Sequence, residues 1–161
     1  MKIRITSREG IDAYAGNLFP PKTALISITD TDADFAELAN VPDFLLQLKF
    51  DDIVSEDAEF EFEHKMGRKP TEEEKLVLAQ SFRVISDAQA EEIAAFVYSV
   101  KNDADMLICQ CEYGQSRSAA IAAAVVEHFQ GRGIVVFADD RYFPNKLIYK
   151  KVLLALEKKR A

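Results

Sequence analysis

The sequence predicts an α/β fold: a central, mostly parallel sheet flanked by helices, in a single domain spanning residues 1–161. Three observations lead there. Short apolar runs rich in Ile, Leu and Val alternate along the chain with longer stretches at helical spacing, and the two kinds do not segregate. Most apolar runs stop at clusters of Asp, Thr, Gly or Pro, residues that close strands and open turns. Third, Met106-Leu107-Ile108, a polar loop centred on Gly114, and the Ala-rich run 119–126 read as strand, tight loop and buried helix.

The elements follow in order. Residues 2–6 alternate charge with Ile3 and Ile5, as a half-buried strand does. Ser7 is placed to cap a short helix over residues 8–15, weakened by Gly10 and ended by Pro20-Pro21. Residues 23–28 form a second strand, closed by the turn-formers Thr29-Asp30-Thr31-Asp32. Residues 34–39 suggest one or two helical turns before Pro42, and 44–50 a third strand that stops at Asp51-Asp52. The acidic stretch 54–80 carries Gly67 and Pro70 and reads as a surface insertion, partly helical, with Phe60 and Phe62 as its apolar anchors. Within it, Thr71-Glu72-Glu73-Glu74 is a capping box before Leu76, Val77 and Leu78. Ser86-Asp87-Ala88-Gln89 is a second box, opening a helix buried through Ala90, Ile93, Ala94 and Val97. The strand 106–111 and the helix after its loop come next, then the Gly131-Arg132-Gly133 turn and a short apolar run at 134–137. Pro144-Asn145 opens a last helix whose buried stripe is Ile148, Val152, Ala155 and Leu156.

Composition narrows the function. A net charge of −7 and a pI near 4.9 argue against a broad nucleic-acid footprint, so an anionic substrate needs a local positive site. The longest apolar runs fall short of a bilayer span and Met1-Lys2-Ile3-Arg4 opens no signal-like apolar region, which leads us to expect a cytoplasmic protein away from membranes. Two Cys, at 109 and 111, cannot make a disulfide scaffold, and with His64 and His128 far off they lack zinc-ligand spacing.

The chemistry concentrates in Cys111-Glu112-Tyr113-Gly114-Gln115-Ser116-Arg117-Ser118. A loop of this length between a strand and a helix can turn the backbone N–H groups of Glu112, Tyr113, Gly114, Gln115 and Ser116 around an oxyanion. The same field favours thiolate, the reactive form, at Cys111. Arg117 adds a planar fork matched to two phosphate oxygens, at a helix start where a cation otherwise sits badly. Cys109, two residues back, reads as a core residue of the strand.

At these residues, in the pattern Cys-x-x-Gly-x-x-Arg-Ser, the chain resembles the cysteine-dependent protein tyrosine phosphatases, and their compact dual-specificity branch in particular. The likeness extends more loosely from residue 23 to the last helix, through Phe50-Asp51-Asp52 and Pro144-Asn145. It implies hydrolysis of phosphate monoesters, phosphotyrosine with or without phosphoserine and phosphothreonine, through a phosphocysteine intermediate, with no metal or organic cofactor. The partner would be a phosphorylated protein or small phosphomonoester. By resemblance, Cys111 is the nucleophile, Arg117 and the loop amides hold the phosphoryl oxygens, and Ser118 donates to the departing thiolate. The general acid is Asp52, with Asp51 second; Asp87, nearer in sequence, reads instead as the first residue of a capped helix.

Two departures bear on this. The family usually has His before its Cys, and Gln110 stands there, able to hydrogen-bond but uncharged. The loop also lacks Lys and carries Glu112, which disfavours polyanionic inositol or lipid phosphates. A silent phosphate-binding module and a rhodanese-like sulfurtransferase remain the alternative functions.

Overall fold

The computed structural model describes residues 1–16, 18–53, 55–81 and 83–160. Four strands, β1 (Lys2–Thr6), β2 (Thr23–Thr29), β3 (Phe44–Lys49) and β4 (Met106–Gln110), form one sheet in the order β1-β4-β2-β3, every pair parallel. β2 is buried at all seven positions because sheet neighbours flank it and both faces are covered.

The two-residue period of a strand decides what each face touches. Ala24, Ile26 and Ile28 of β2, with Leu107 and Cys109 of β4, join the main core. That core is completed by α4 (Asp87–Val100), α5 (Arg117–Gln130) and α7 (Lys146–Arg160). Leu25 and Ile108, on the alternate positions, pack with Ile11 of α1 (Arg8–Gly16) and with Ala36. In α5 the run from Ala119 through Val126 is buried, five of its eight residues Ala, small enough to let the helix sit close on the sheet. It ends at Gly131, whose φ of 63° is the left-handed cap that glycine allows. The short α6 (Ile134–Phe137) follows, and α7 buries Ile148, Val152, Ala155 and Leu156, the stripe the spacing predicts.

Several local expectations change. Residues 34–39 form no helix. Ala36 and Leu38 close the α1 face of the sheet instead, and the Asp34 carbonyl accepts from Arg8. The fourth strand stops at Gln110, and Cys111 belongs to the loop. The last helix starts at Lys146, with Asn145 as its cap: its Oδ1 accepts from Ile148 N at 3.1 Å. The expected insertion is a pair of helices, α2 (Ser55–Met66) and α3 (Glu72–Ser81), that pack on each other; Val54, its first residue, lies outside the described residues. Phe60 is not a core anchor. It is 71% exposed and stacks on His64, while half-buried Phe62 lies beneath Arg68. No helix among the described residues is long and apolar enough to cross a membrane.

Both capping boxes form. Thr71 Oγ1 accepts from Glu74 N and Glu74 Oε1 from Thr71 N, each at 3.2 Å. Ser86 Oγ accepts from Gln89 N at 3.1 Å, and Gln89 Oε1 accepts from Ser86 N at 3.0 Å. The Gln89 amide also donates to the Lys49 carbonyl at 2.8 Å, tying the start of α4 to the end of β3. Ser86→Ala should lower unfolding stability by about 1 kcal/mol with an unchanged denaturant slope. Urea titration checks this, and an unmoved midpoint would count against it.

Candidate active site

Parallel strands bring all four carboxyl ends to one edge, and each leads directly into a residue of the site. β1 leads to Ser7 and Arg8, β2 to Asp30, β3 to Phe50, Asp51 and Asp52, and β4 to Cys111.

The side-chain alternation of β4 continues into the loop. Gln110 falls on the face opposite Cys109, across from Ser27 in the sheet register. Buried there, its Oε1 accepts from the Ser27 hydroxyl and its Nε2 donates to the Cys111 carbonyl at 3.0 Å. The uncharged Gln110 therefore braces the backbone at Cys111. Cys111 is 2% exposed, and its Sγ lies 3.1 Å from Ser118 Oγ on the first turn of α5. Cys109 is fully buried, and burial, reinforced by a Cys111 charge, pushes its thiol up, out of reach of ionisation. Its reading as a core residue agrees with that burial.

The loop is bent so that its carbonyls face outward. The Glu112 carbonyl accepts from Arg8 N at 3.0 Å, that of Gln115 from Phe143 N at 2.8 Å, and that of Ser116 from Asn145 N at 3.3 Å. Among the described residues, the N–H groups of residues 112–116 have no protein acceptor. Gly114 makes the bend possible. Its φ is +67°, and a Cβ there would stand 2.6 Å from the Thr6 carbonyl carbon and 2.8 Å from Ser7 N. The loop thus presses on the end of β1 more closely than any side chain permits.

Arg117, the first residue of α5, is 4% exposed. Its Nη1 donates to the Phe50 carbonyl at 2.9 Å and lies 2.6 Å from Asp30 Oδ1. Its Nε is buried with no protein partner. Ser116 makes no side-chain cap, so the N–H groups opening α5 are also left for a ligand. Isolated buried donors beside a cation and a helix start form a site with an affinity for anions.

The remaining predicted residues divide. Asp52 reaches the loop: its Oδ1 accepts from Ser116 Oγ at 2.7 Å and from Asn145 Nδ2 at 3.0 Å. Asp51 turns away, its Oδ1 accepting from Thr31 N at 3.0 Å and Thr31 Oγ1 at 3.1 Å. The Glu112 side chain leaves the cradle to pair with Arg8 Nε at 2.8 Å, so only its backbone faces inward. Tyr113 is 78% exposed on the loop. Sequence reasoning missed Asp30, Asn145, Arg8 and the Phe50 carbonyl. Asp30 was legible as the residue directly after a central parallel strand, but it sits in a cluster of turn-formers that explained it away. Among the described residues, no group of three or more His, Cys, Asp or Glu is placed to hold a metal ion.

No protein-family model matches this chain, and no curated protein does either. It is similar to a solved structure described as PTPMT1, at 10% identity and a TM-score of 0.47, over 98% of this chain and 90% of that one. A likeness so slight decides neither family nor chemistry.

Gly114→Ala should lose the cradle. A left-handed φ costs a residue with a Cβ about 1–2 kcal/mol, and the contact with Thr6 adds to it. Expected are a lowered melting temperature and no measurable vanadate binding by calorimetry; a variant that binds vanadate like the parent would refute the close-approach constraint.

Proposed function

We propose that this chain is a cysteine-dependent phosphatase that hydrolyses phosphate monoesters, phosphotyrosine first among them. One observation carries the reading above all: a buried, unpartnered Arg117 Nε beside the outward-bent loop that begins at Cys111. Such donors are costly to leave unpaired, and a phosphoryl group would pair them.

In the first step the Cys111 thiolate attacks phosphorus in line. An S–P bond forms as the P–O bond to the leaving group breaks, and the leaving oxygen takes a proton from Asp52. Arg117 and the amides of residues 112–116 stabilise charge spread over the three equatorial oxygens. In the second step a water gives its proton to the Asp52 carboxylate and attacks phosphorus. The S–P bond breaks, releasing inorganic phosphate and a thiolate to which Ser118 donates. The balance needs neither metal nor organic cofactor.

The surroundings favour a substrate with a single phosphoryl group. Asp30 and Asp52 stand beside the cradle, and Glu112 offsets the charge of Arg8. A second phosphate would meet carboxylates there. The exposed Tyr113 offers an apolar face to a peptide carrying the phosphoryl group.

The test is metal-independent hydrolysis of p-nitrophenyl phosphate and a phosphotyrosine peptide. Cys111→Ser should abolish turnover, and Arg117→Ala should lower kcat by about 10²–10³-fold. Vanadate binding without turnover would leave a silent phosphate-binding module, and thiocyanate formation from thiosulfate and cyanide would indicate a sulfurtransferase instead. Asp52→Asn removes the group that must be protonated for the first step. Its turnover should therefore be lower and should lose its decline toward high pH, read from a pH–rate profile. If Asp51→Asn shows that behaviour and Asp52→Asn does not, the acid is misassigned.

A further inference from the structure

A guanidinium can turn any of three edges toward a ligand, and only the Nε–Nη2 edge and the Nη1–Nη2 edge offer two parallel N–H donors. Arg117 has no freedom of choice. Its Nη1 is held between the Phe50 carbonyl at 2.9 Å and Asp30 Oδ1 at 2.6 Å. With Nη1 occupied, the edge carrying the unpartnered Nε is the one left for an incoming anion. Phe50 cannot do this alone, because one carbonyl on one nitrogen leaves the plane free to roll about that bond. A second, charged partner restrains that roll. Asp30 is well placed to be that partner, directly after the buried central strand β2, with its side chain half exposed.

We infer that Asp30 is a positioning residue: through its ion pair with Nη1 it sets the roll of the Arg117 guanidinium so that the Nε edge faces the cradle. The inference rests on the phosphatase reading for its effect on turnover, but not for its effect on Arg117 itself. Asp30 does not occupy the cradle, since its partner is Nη1 and Nε remains unpaired. Its charge also partly offsets that of Arg117, so its removal has two opposed effects on binding. A lost negative charge favours the anion, while a loosened guanidinium disfavours it. Ground-state binding therefore changes little. The transition state demands the tighter geometry and suffers more, which places the loss in kcat.

The experiment compares Asp30→Ala and Asp30→Asn with the parent chain by two readouts. NMR exchange of the Arg117 Nη groups reports rotation of the guanidinium whether or not the protein turns over substrate. Steady-state hydrolysis of p-nitrophenyl phosphate, with vanadate inhibition, reports the function. In Asp30→Ala, rotation should quicken and kcat should fall by about 10²-fold, with KM within about threefold of the parent. Asp30→Asn keeps an oxygen acceptor for Nη1, so both rotation and kcat should return to within about threefold of the parent. Unchanged rotation in Asp30→Ala would overturn the inference. So would an Asp30→Asn variant as impaired as Asp30→Ala, since that would assign Asp30 to charge or proton transfer. If the parent neither hydrolyses the ester nor binds vanadate, the phosphatase reading fails, and the rotation data still decide the role of Asp30.

Discussion

A cation buried at the start of a helix is adverse twice over. It loses hydration, and it faces the positive end of the helix dipole. Arg117 accepts both penalties at 4% exposure. Asp30 and the Phe50 carbonyl offset part of the cost, and in doing so they bind the ends of β2 and β3 to the start of α5. The offset is incomplete, because Nε has no partner. That deficit defines the site: an anion entering the loop would complete the pairing that the protein leaves open. The ends of β2 and β3 and the first turn of α5 are tied together through this one side chain.

A second tie runs through Asn145. Its N–H donates to the Ser116 carbonyl, its Nδ2 donates to Asp52, and its Oδ1 caps α7. One nearly buried amide thus joins the proposed acid, the loop and the last helix. It also explains why Asp52 and not Asp51 faces the loop. Along an extended chain neighbouring side chains point opposite ways, so once Asn145 and Ser116 hold Asp52, Asp51 is left to the Thr31 turn.

Features that depend on neighbours in sequence were legible from the residues: the strands, the two capping boxes, and the buried stripes of α4 and α7. The loop between β4 and α5 was legible for the same reason, since Cys111, Gly114 and Arg117 lie within seven residues. What escaped depends on partners distant in the chain. Asp30 meets Arg117 only after the sheet has placed β2 beside β4, and Asn145 meets Asp52 across most of the fold. Residues 34–39 show the converse failure. A helical pattern is present there, but the α1 face of the sheet needs Ala36 and Leu38, and burial outweighs a propensity worth only tenths of a kcal/mol per residue.

Position 110, just before Cys111, joins these two lessons. A histidine there would brace the loop with a group that titrates near neutrality. Gln110 supplies a donor to the same Cys111 carbonyl but cannot titrate, and the Ser27 hydroxyl across the sheet satisfies its oxygen. The brace is therefore insensitive to pH and adds no charge behind Cys111. Any positive field at Cys111 must then come from the loop amides, the α5 dipole and Arg117. That shifts weight onto the guanidinium and onto whatever fixes its orientation. With no charge at position 110, the carboxylate beside Arg117 matters more to the field around the loop.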